Sequence, residues 1–133
     1  MAVSESVADY LEAIMMLRKE KANVRSIDIA NHFGYSRPTV SQTLKSFRAK
    51  GYVNVDEDGF ITLTEKGFEI AASTYERHVV LSQLLRLLGV GEVTAAEDAC
   101  KLEHDLSDES FAAIKLLCKQ LQEQKDQKEK LES

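Results

Sequence analysis

Cys100, Glu103 and His104 stand three and four positions apart, the spacing that puts side chains on one face of a helix. Asp9 and Glu12 are also three apart, near the amino end, and His78 lies in mid-chain. Together they offer one thiol, three carboxylates and two imidazoles from three separate segments. Such a mixed nitrogen, oxygen and sulfur set suits a borderline divalent transition ion, Mn(II), Fe(II), Co(II), Ni(II) or Zn(II), and not calcium or magnesium. Cys100 would bind as the thiolate. Taken singly, each residue has a plainer role more often than not. Asp9 would serve a first helical turn, Glu12 and the two histidines would face solvent, Cys100 would fill the core and Glu103 would pair with Lys101. The case for an ion rests on the grouping.

A second set points to nucleic acid. Arg37, Pro38, Thr39, Ser41, Gln42, Lys45 and Arg48 fall on the outer face of a predicted helix whose inner face is Val40, Leu44 and Phe47. Gln can pair bidentately with adenine, and Ser and Thr can bond to base edges or phosphate. Thr and Pro can touch a thymine methyl. The stretch Ser36–Val55 carries Arg37, Lys45, Arg48 and Lys50 and no acid. Those cations can neutralise backbone phosphate. A solvated helix face is the plainer alternative.

The elements that must position these residues follow from short-range signals. A first helix starts near Ser4 or Ser6, with Val7, Tyr10, Leu11, Ile14 and Leu17 as its core stripe, and ends in Arg18–Lys21. A short helix over Ile27–His32 leads to a turn at Phe33-Gly34-Tyr35. Ser36 caps the reading helix, 37–50, and Pro38 sits in its first turn, where a missing N–H costs nothing. Ala30, Gly34 and Val40 have the small, turn and branched spacing of a helix-turn-helix. Tyr52–Val55 and Phe60–Leu63 form a hairpin around Gly59. Thr64 caps a long helix closed near Leu88 by Gly89. Thr94 and Glu97 form a capping box for the next helix, and Ser107 caps the last. The last helix carries a stripe of Phe111, Ile114, Leu117, Cys118 and Leu121.

This order predicts a mostly α protein with three parts. Residues 1–63 form a winged helix-turn-helix for DNA, 64–122 an all-helical dimerisation and metal-binding region, and 123–133 a charged tail or frayed helix end. The long helix ends in Val79, Val80, Leu81, Leu84, Leu85, Leu87 and Leu88, apolar on more than one side, which predicts a two-fold homodimer.

At 133 residues with 44% apolar content, the chain has enough for a single modest core and too little for a large multidomain enzyme. The net charge of −5 taken whole argues against nucleic acid, but its distribution does not. Residues 1–63 hold eight basic and eight acidic residues, against nine and fourteen in 64–133. Screening confines each charge to about 10 Å, so the basic stretch acts on its own. No apolar run approaches the roughly 18 residues of a membrane span. The polar start is no secretory signal, and two cysteines without a CxxC pair predict a reduced, cytoplasmic protein.

The motifs together resemble the diphtheria-toxin-repressor family of metal-dependent regulators, including its manganese transport regulators. The resemblance covers about residues 5–122. Its carriers are Asp9-Tyr10-Leu11-Glu12, Arg37-Pro38-Thr39-Val40-Ser41-Gln42-Thr43, Arg77-His78 and the run Cys100–Glu109. It implies that Asp9, Glu12, His78, Cys100, Glu103 and His104 are ligands and that helix 37–50 enters the major groove. It implies repression of metal-uptake genes at a palindromic operator, with bound metal holding two reading helices one DNA turn apart, roughly 34 Å. Asp9 and Glu12 follow the manganese branch and Cys100 the iron branch, leaving Fe(II) and Mn(II) both open. The expected form is the short one, without an SH3-like domain. Two other classes are compatible with parts of the pattern. A winged-helix regulator sensing redox through Cys100, or an organic effector, is the alternative. A metalloenzyme is disfavoured by the absence of HExxH, a nucleophile elbow or a Gly-rich phosphate loop.

Overall fold

Ser4 opens the first helix. Its backbone is extended and its hydroxyl accepts the Val7 N–H at 3.3 Å, which satisfies one first-turn donor and starts α1, Glu5–Glu20. After it come α2 (Ser26–Phe33), α3 (Arg37–Ala49), β1 (Val53–Val55) and β2 (Ile61–Leu63). Then follow α4 (Glu65–Leu87), α5 (Glu92–Leu102) and α6 (Asp108–Glu132). The computed structural model describes residues 3–132. The chain divides into two compact units, one up to Thr74 and one from Tyr75.

In the first unit, Tyr10, Leu11 and Ile14 of α1 are buried, with Ala8, Ala13 and Met15 widening the buried face. Val7 and Leu17 are half-buried at its edges. Gly34 ends α2 in the left-handed region, φ 74°, with its N–H on the Ala30 carbonyl at 2.8 Å. Two residues on, Ser36 accepts the Thr39 N–H at 3.3 Å and starts α3, whose Val40, Leu44 and Phe47 are buried. Tyr10 knits the helices together: its ring stacks on Phe33 at 5.2 Å and meets Phe47 edge-on at 5.1 Å.

β1 and β2 pair antiparallel, Val53 opposite Leu63 and Val55 opposite Ile61. The Asp56 carboxylate accepts the N–H groups of Asp58 and Phe60, both at 2.9 Å, and fixes the turn. The Val24 carbonyl accepts the Ile61 N–H at 2.8 Å, tying the segment before α2 to the hairpin edge. The result is a winged helix-turn-helix.

Thr64 joins the wing to α4. Its hydroxyl donates to the Gly51 carbonyl at 2.6 Å and accepts the Gly67 N–H at 3.1 Å. Gly67 lies directly under the Tyr52 backbone, and a Cβ there would collide with the Tyr52 carbonyl oxygen. Gly67→Ala is therefore expected to destabilise the chain by about 1–3 kcal/mol, the usual cost of overpacking, even though Ala is the better helix former. Urea denaturation checks it, and a neutral or stabilising result would contradict the close approach.

In the second unit, α4 ends at Leu87 and the chain turns at Gly89 (φ 98°), where the Val90 N–H returns to the Leu85 carbonyl at 2.9 Å. α5 corrects the expected start. Gly91 is its N-cap, extended at φ −60° and ψ 152°, so Thr94 lies inside the first turn rather than capping it. With the chain leaving Gly89 and Gly91 already extended, the first helical bond forms from the Ala95 N–H to the Gly91 carbonyl, at 2.8 Å. Ser107 does cap α6, accepting the Ser110 N–H at 3.1 Å, and the helix continues unbroken through Glu132.

Phe111 and Cys118 of α6 are buried, and the Cys118 thiol donates to the Val80 carbonyl at 3.7 Å. Leu117, expected in the same stripe, is 45% exposed, and Leu116 beside it 58%, because none of the described residues covers that side of α6. Among the described residues no helix is long and apolar enough to cross a membrane.

Candidate metal centre and reading helix

Within the second unit, α4 supplies His78 and the end of α5 supplies Cys100 and Glu103. His78 Nδ1 lies 3.1 Å from Glu103 Oε2 and 3.6 Å from Cys100 Sγ. His104 Nε2 lies 3.3 Å from the other carboxylate oxygen, Glu103 Oε1. Only 4% of Glu103 is exposed, so a carboxylate is held out of water between two imidazoles with a thiol alongside. Burying a carboxylate is costly unless positive charge or donors meet it. Donors bound to one first-row ion at about 2.0–2.3 Å stand roughly 3–3.7 Å from one another, so His78, Cys100 and Glu103, whose donor atoms lie within 4.8 Å of one another, have the spacing and chemistry of a metal site, while His104 meets the other carboxylate oxygen.

The expected helical face is only partly realised. α5 stops at Leu102; Glu103 is its C-cap with the N–H still on the Ala99 carbonyl at 3.0 Å, and His104 lies in the turn beyond. Glu103 therefore keeps the direction that the spacing implied, while His104 reaches the same carboxylate from the loop. Cys100 is exposed rather than a core residue. Cys118 is the buried cysteine, and burial pushes its thiol up. Asp9 and Glu12 lie in the first unit on α1, both half-buried.

Arg77 is a residue the sequence pattern left without a role. Its guanidinium, with a side chain only 12% exposed, bonds across the α5–α6 connection to the Leu106 carbonyl and the Asp108 carboxylate, each at 2.6 Å. The adjacency of Arg77 and His78 was the visible signal; acceptors 26 to 31 residues away were not.

On α3 the side chains of Arg37, Pro38, Thr39, Ser41, Gln42, Lys45 and Arg48 are all exposed. The Thr39 hydroxyl is 2.8 Å from Ser36 Oγ, so it helps shape the helix start. The wing tip is different in kind: Asp56, Glu57 and Asp58 are exposed acids there.

A winged helix-turn-helix with an exposed basic reading helix, continuous with a helical unit that gathers a thiol, imidazoles and a buried carboxylate, has the make-up of a metal-dependent transcriptional regulator. The chain belongs to the iron-dependent repressor family: residues 2–59 match its N-terminal DNA binding domain and residues 64–132 its metal binding and dimerisation domain. It is 38% identical over 116 residues to the uncharacterized HTH-type transcriptional regulator MJ0568 of Methanocaldococcus jannaschii, spanning 86% of this chain and 93% of that one. It is 34% identical over 112 residues to the transcriptional regulator MntR of Escherichia coli O6:H1, spanning 84% of this chain and 72% of that one. Among solved structures, a manganese-dependent transcriptional repressor in complex with manganese matches with a TM-score of 0.74 at 28% identity. That match covers 84% of this chain and 52% of the other, so the chain spans about half the length of that solved repressor. The family and the relatives it matches are DNA-binding transcriptional regulators.

Proposed function

We propose that the chain is a cytoplasmic repressor of metal-uptake genes whose affinity for a palindromic double-stranded operator rises when Fe(II) or Mn(II) is bound. The observation that carries this is the Glu103 carboxylate, 4% exposed between His78 and His104 and beside Cys100, in a chain whose first unit is a DNA reader. The ligand set is Asp9, Glu12, His78, Cys100, Glu103 and His104. A bound divalent ion would supply the positive charge that lets three like-charged carboxylates share a site. Asp9, Glu12 and Glu103 are hard oxygen donors suited to Mn(II), while Cys100 draws toward Fe(II); Co(II), Ni(II) or Zn(II) would substitute in vitro.

Residues 1–63 read DNA: Gln42, Ser41 and Thr39 face base edges, Pro38 a thymine methyl, and Arg37, Lys45 and Arg48 phosphate. Residues 64–122 bind metal and pair with a second copy, and 123–133 form a charged extension. The exposed Leu116 and Leu117, with a groove of about 540 Å³ lined in part by Val80, Ala112 and Leu116, support a homodimer. Two copies place two reading helices on successive major grooves, roughly 34 Å apart, and so match a palindrome. By linkage, operator DNA tightens metal binding by the same factor that metal tightens DNA binding.

Anaerobic fluorescence anisotropy against a duplex selected from a random-sequence pool tests the reading. Operator affinity is expected to rise about 5–150-fold as Mn(II) or Fe(II) is added, the range of ordinary allosteric coupling. Flat affinity through both titrations would remove it. The redox alternative is favoured by one feature, the exposed Cys100 thiol 3.6 Å from an imidazole. Its mark would be loss of DNA binding when metal-free protein meets peroxide.

A further inference from the structure

Arg77 and His78 are neighbours on α4, and both grip the same residue. The His78 ring meets the Glu103 carboxylate at 3.1 Å, while Arg77 Nη1 donates to the Glu103 backbone carbonyl at 3.3 Å. The same Nη1 donates to the Leu106 carbonyl at 2.6 Å, and Nη2 donates to the Asp108 carboxylate at 2.6 Å. The guanidinium carbon stands 5.0 Å from the centre of the Phe111 ring. One side chain thus holds the connection from the end of α5 to the start of α6 at three points, and Glu103 and His104 both lie on it.

We propose that Arg77 is a positioning residue for the metal centre: it fixes the backbone at Glu103 and His104 so that their donor atoms are set before an ion arrives. The proposal rests on the metal-binding reading above. A planar guanidinium suits the task because its donors diverge in a fixed fork and satisfy several acceptors at once; a lysine ammonium has neither the plane nor the reach. Pre-set ligands spare the ion the ordering of a loop, and losing an outer partner of a metal ligand ordinarily weakens metal binding about 10–100-fold.

The test uses the full chain and Co(II), whose bond to a thiolate gives a charge-transfer band. Co(II) is titrated anaerobically into the wild type, Cys100→Ser, Arg77→Lys and Asp108→Asn, and thermal unfolding of each metal-free protein is followed by circular dichroism. The wild type is expected to show a thiolate band that Cys100→Ser lacks. Arg77→Lys should bind Co(II) about 10–100-fold more weakly, with an altered visible spectrum, while its metal-free unfolding curve changes little. Asp108→Asn removes the charge of one exposed partner of the clamp, weakening its hold on Nη2, and should shift affinity the same way by a smaller factor. An Arg77→Lys protein with wild-type affinity and spectrum overturns the proposal and leaves the metal reading standing. If Arg77→Lys does not fold, Asp108→Asn decides: unchanged affinity and spectrum there overturn it. A wild type without a thiolate band removes the metal reading, and the positioning role with it.

Discussion

Glu103→Ala is expected to abolish the metal-dependent gain in operator affinity, a loss of about 5–150-fold measured with saturating Mn(II) or Fe(II), while metal-free DNA affinity stays at its wild-type level. The argument is local. The carboxylate touches His78 through Oε2 and His104 through Oε1, so its removal deletes the group on which both imidazoles converge. The fold does not depend on that carboxylate in the same way. Glu103 holds the end of α5 through its backbone, with the N–H on the Ala99 carbonyl and the carbonyl receiving Arg77, and Ala preserves both. Glu103→Gln separates charge from shape, since it keeps the volume and removes the anion. It should lose the metal gain nearly as fully as Ala. Anisotropy with and without metal, alongside circular dichroism of each variant, checks the pair; a full metal response in Glu103→Ala would place the ion elsewhere.

What was readable in the sequence was what short-range chemistry decides. Ser36 with Pro38 marks the start of α3, Gly34 the left-handed turn before it, and Val40, Leu44 and Phe47 its buried face. These signals act within one or two turns of helix, and the structure agrees with them. The start of α5 differs from the expected one because two local signals compete. Thr94 with Glu97 has the form of a capping box, but the chain emerging from Gly89 is already extended at Gly91 and the helix begins there. The end of α5 was hidden for another reason. Arg77 draws the carbonyls of Glu103 and Leu106 away from helical pairing, from 26 and 29 residues distant. A contact of that sequence separation has no period to betray it.

The candidate centre has the same mixture. Cys100 and Glu103 share a face through helical spacing, which the sequence carries openly. His78 joins them from 22 to 25 residues away, visible beforehand as a residue of the right type and through the Arg77-His78 motif, not through any period shared with Cys100 and Glu103. Leu117 shows the limit on the apolar side: its spacing matches Phe111 and Cys118, but a stripe says which residues prefer burial and not whether one chain can bury them all.

Gln42 and Lys45, both exposed on α3 three positions apart, are expected to fail in opposite ways when replaced by Ala. A glutamine amide can donate to adenine N7 and accept from its N6 amino group, so Gln42→Ala should cost about 1–3 kcal/mol of discrimination between the operator and a duplex altered at one position. Its binding to unrelated DNA should hardly move, because unrelated DNA never offered that pair. Lys45 has one compact charge and no means of reading a base pattern from a phosphate. Lys45→Ala should therefore weaken operator and unrelated DNA alike, and should lower the slope of log affinity against log salt by about 1. The acidic wing tip sharpens the second expectation. With Asp56, Glu57 and Asp58 exposed on the hairpin, cations of α3 would bear a larger share of any phosphate contacts, and losing one would not be masked by the wing tip. Anisotropy across a salt series, with matched and altered duplexes in the presence of metal, measures both quantities. Equal loss of discrimination in the two variants, or a salt slope that Lys45→Ala leaves unchanged, would mean that this face of α3 does not lie in the groove.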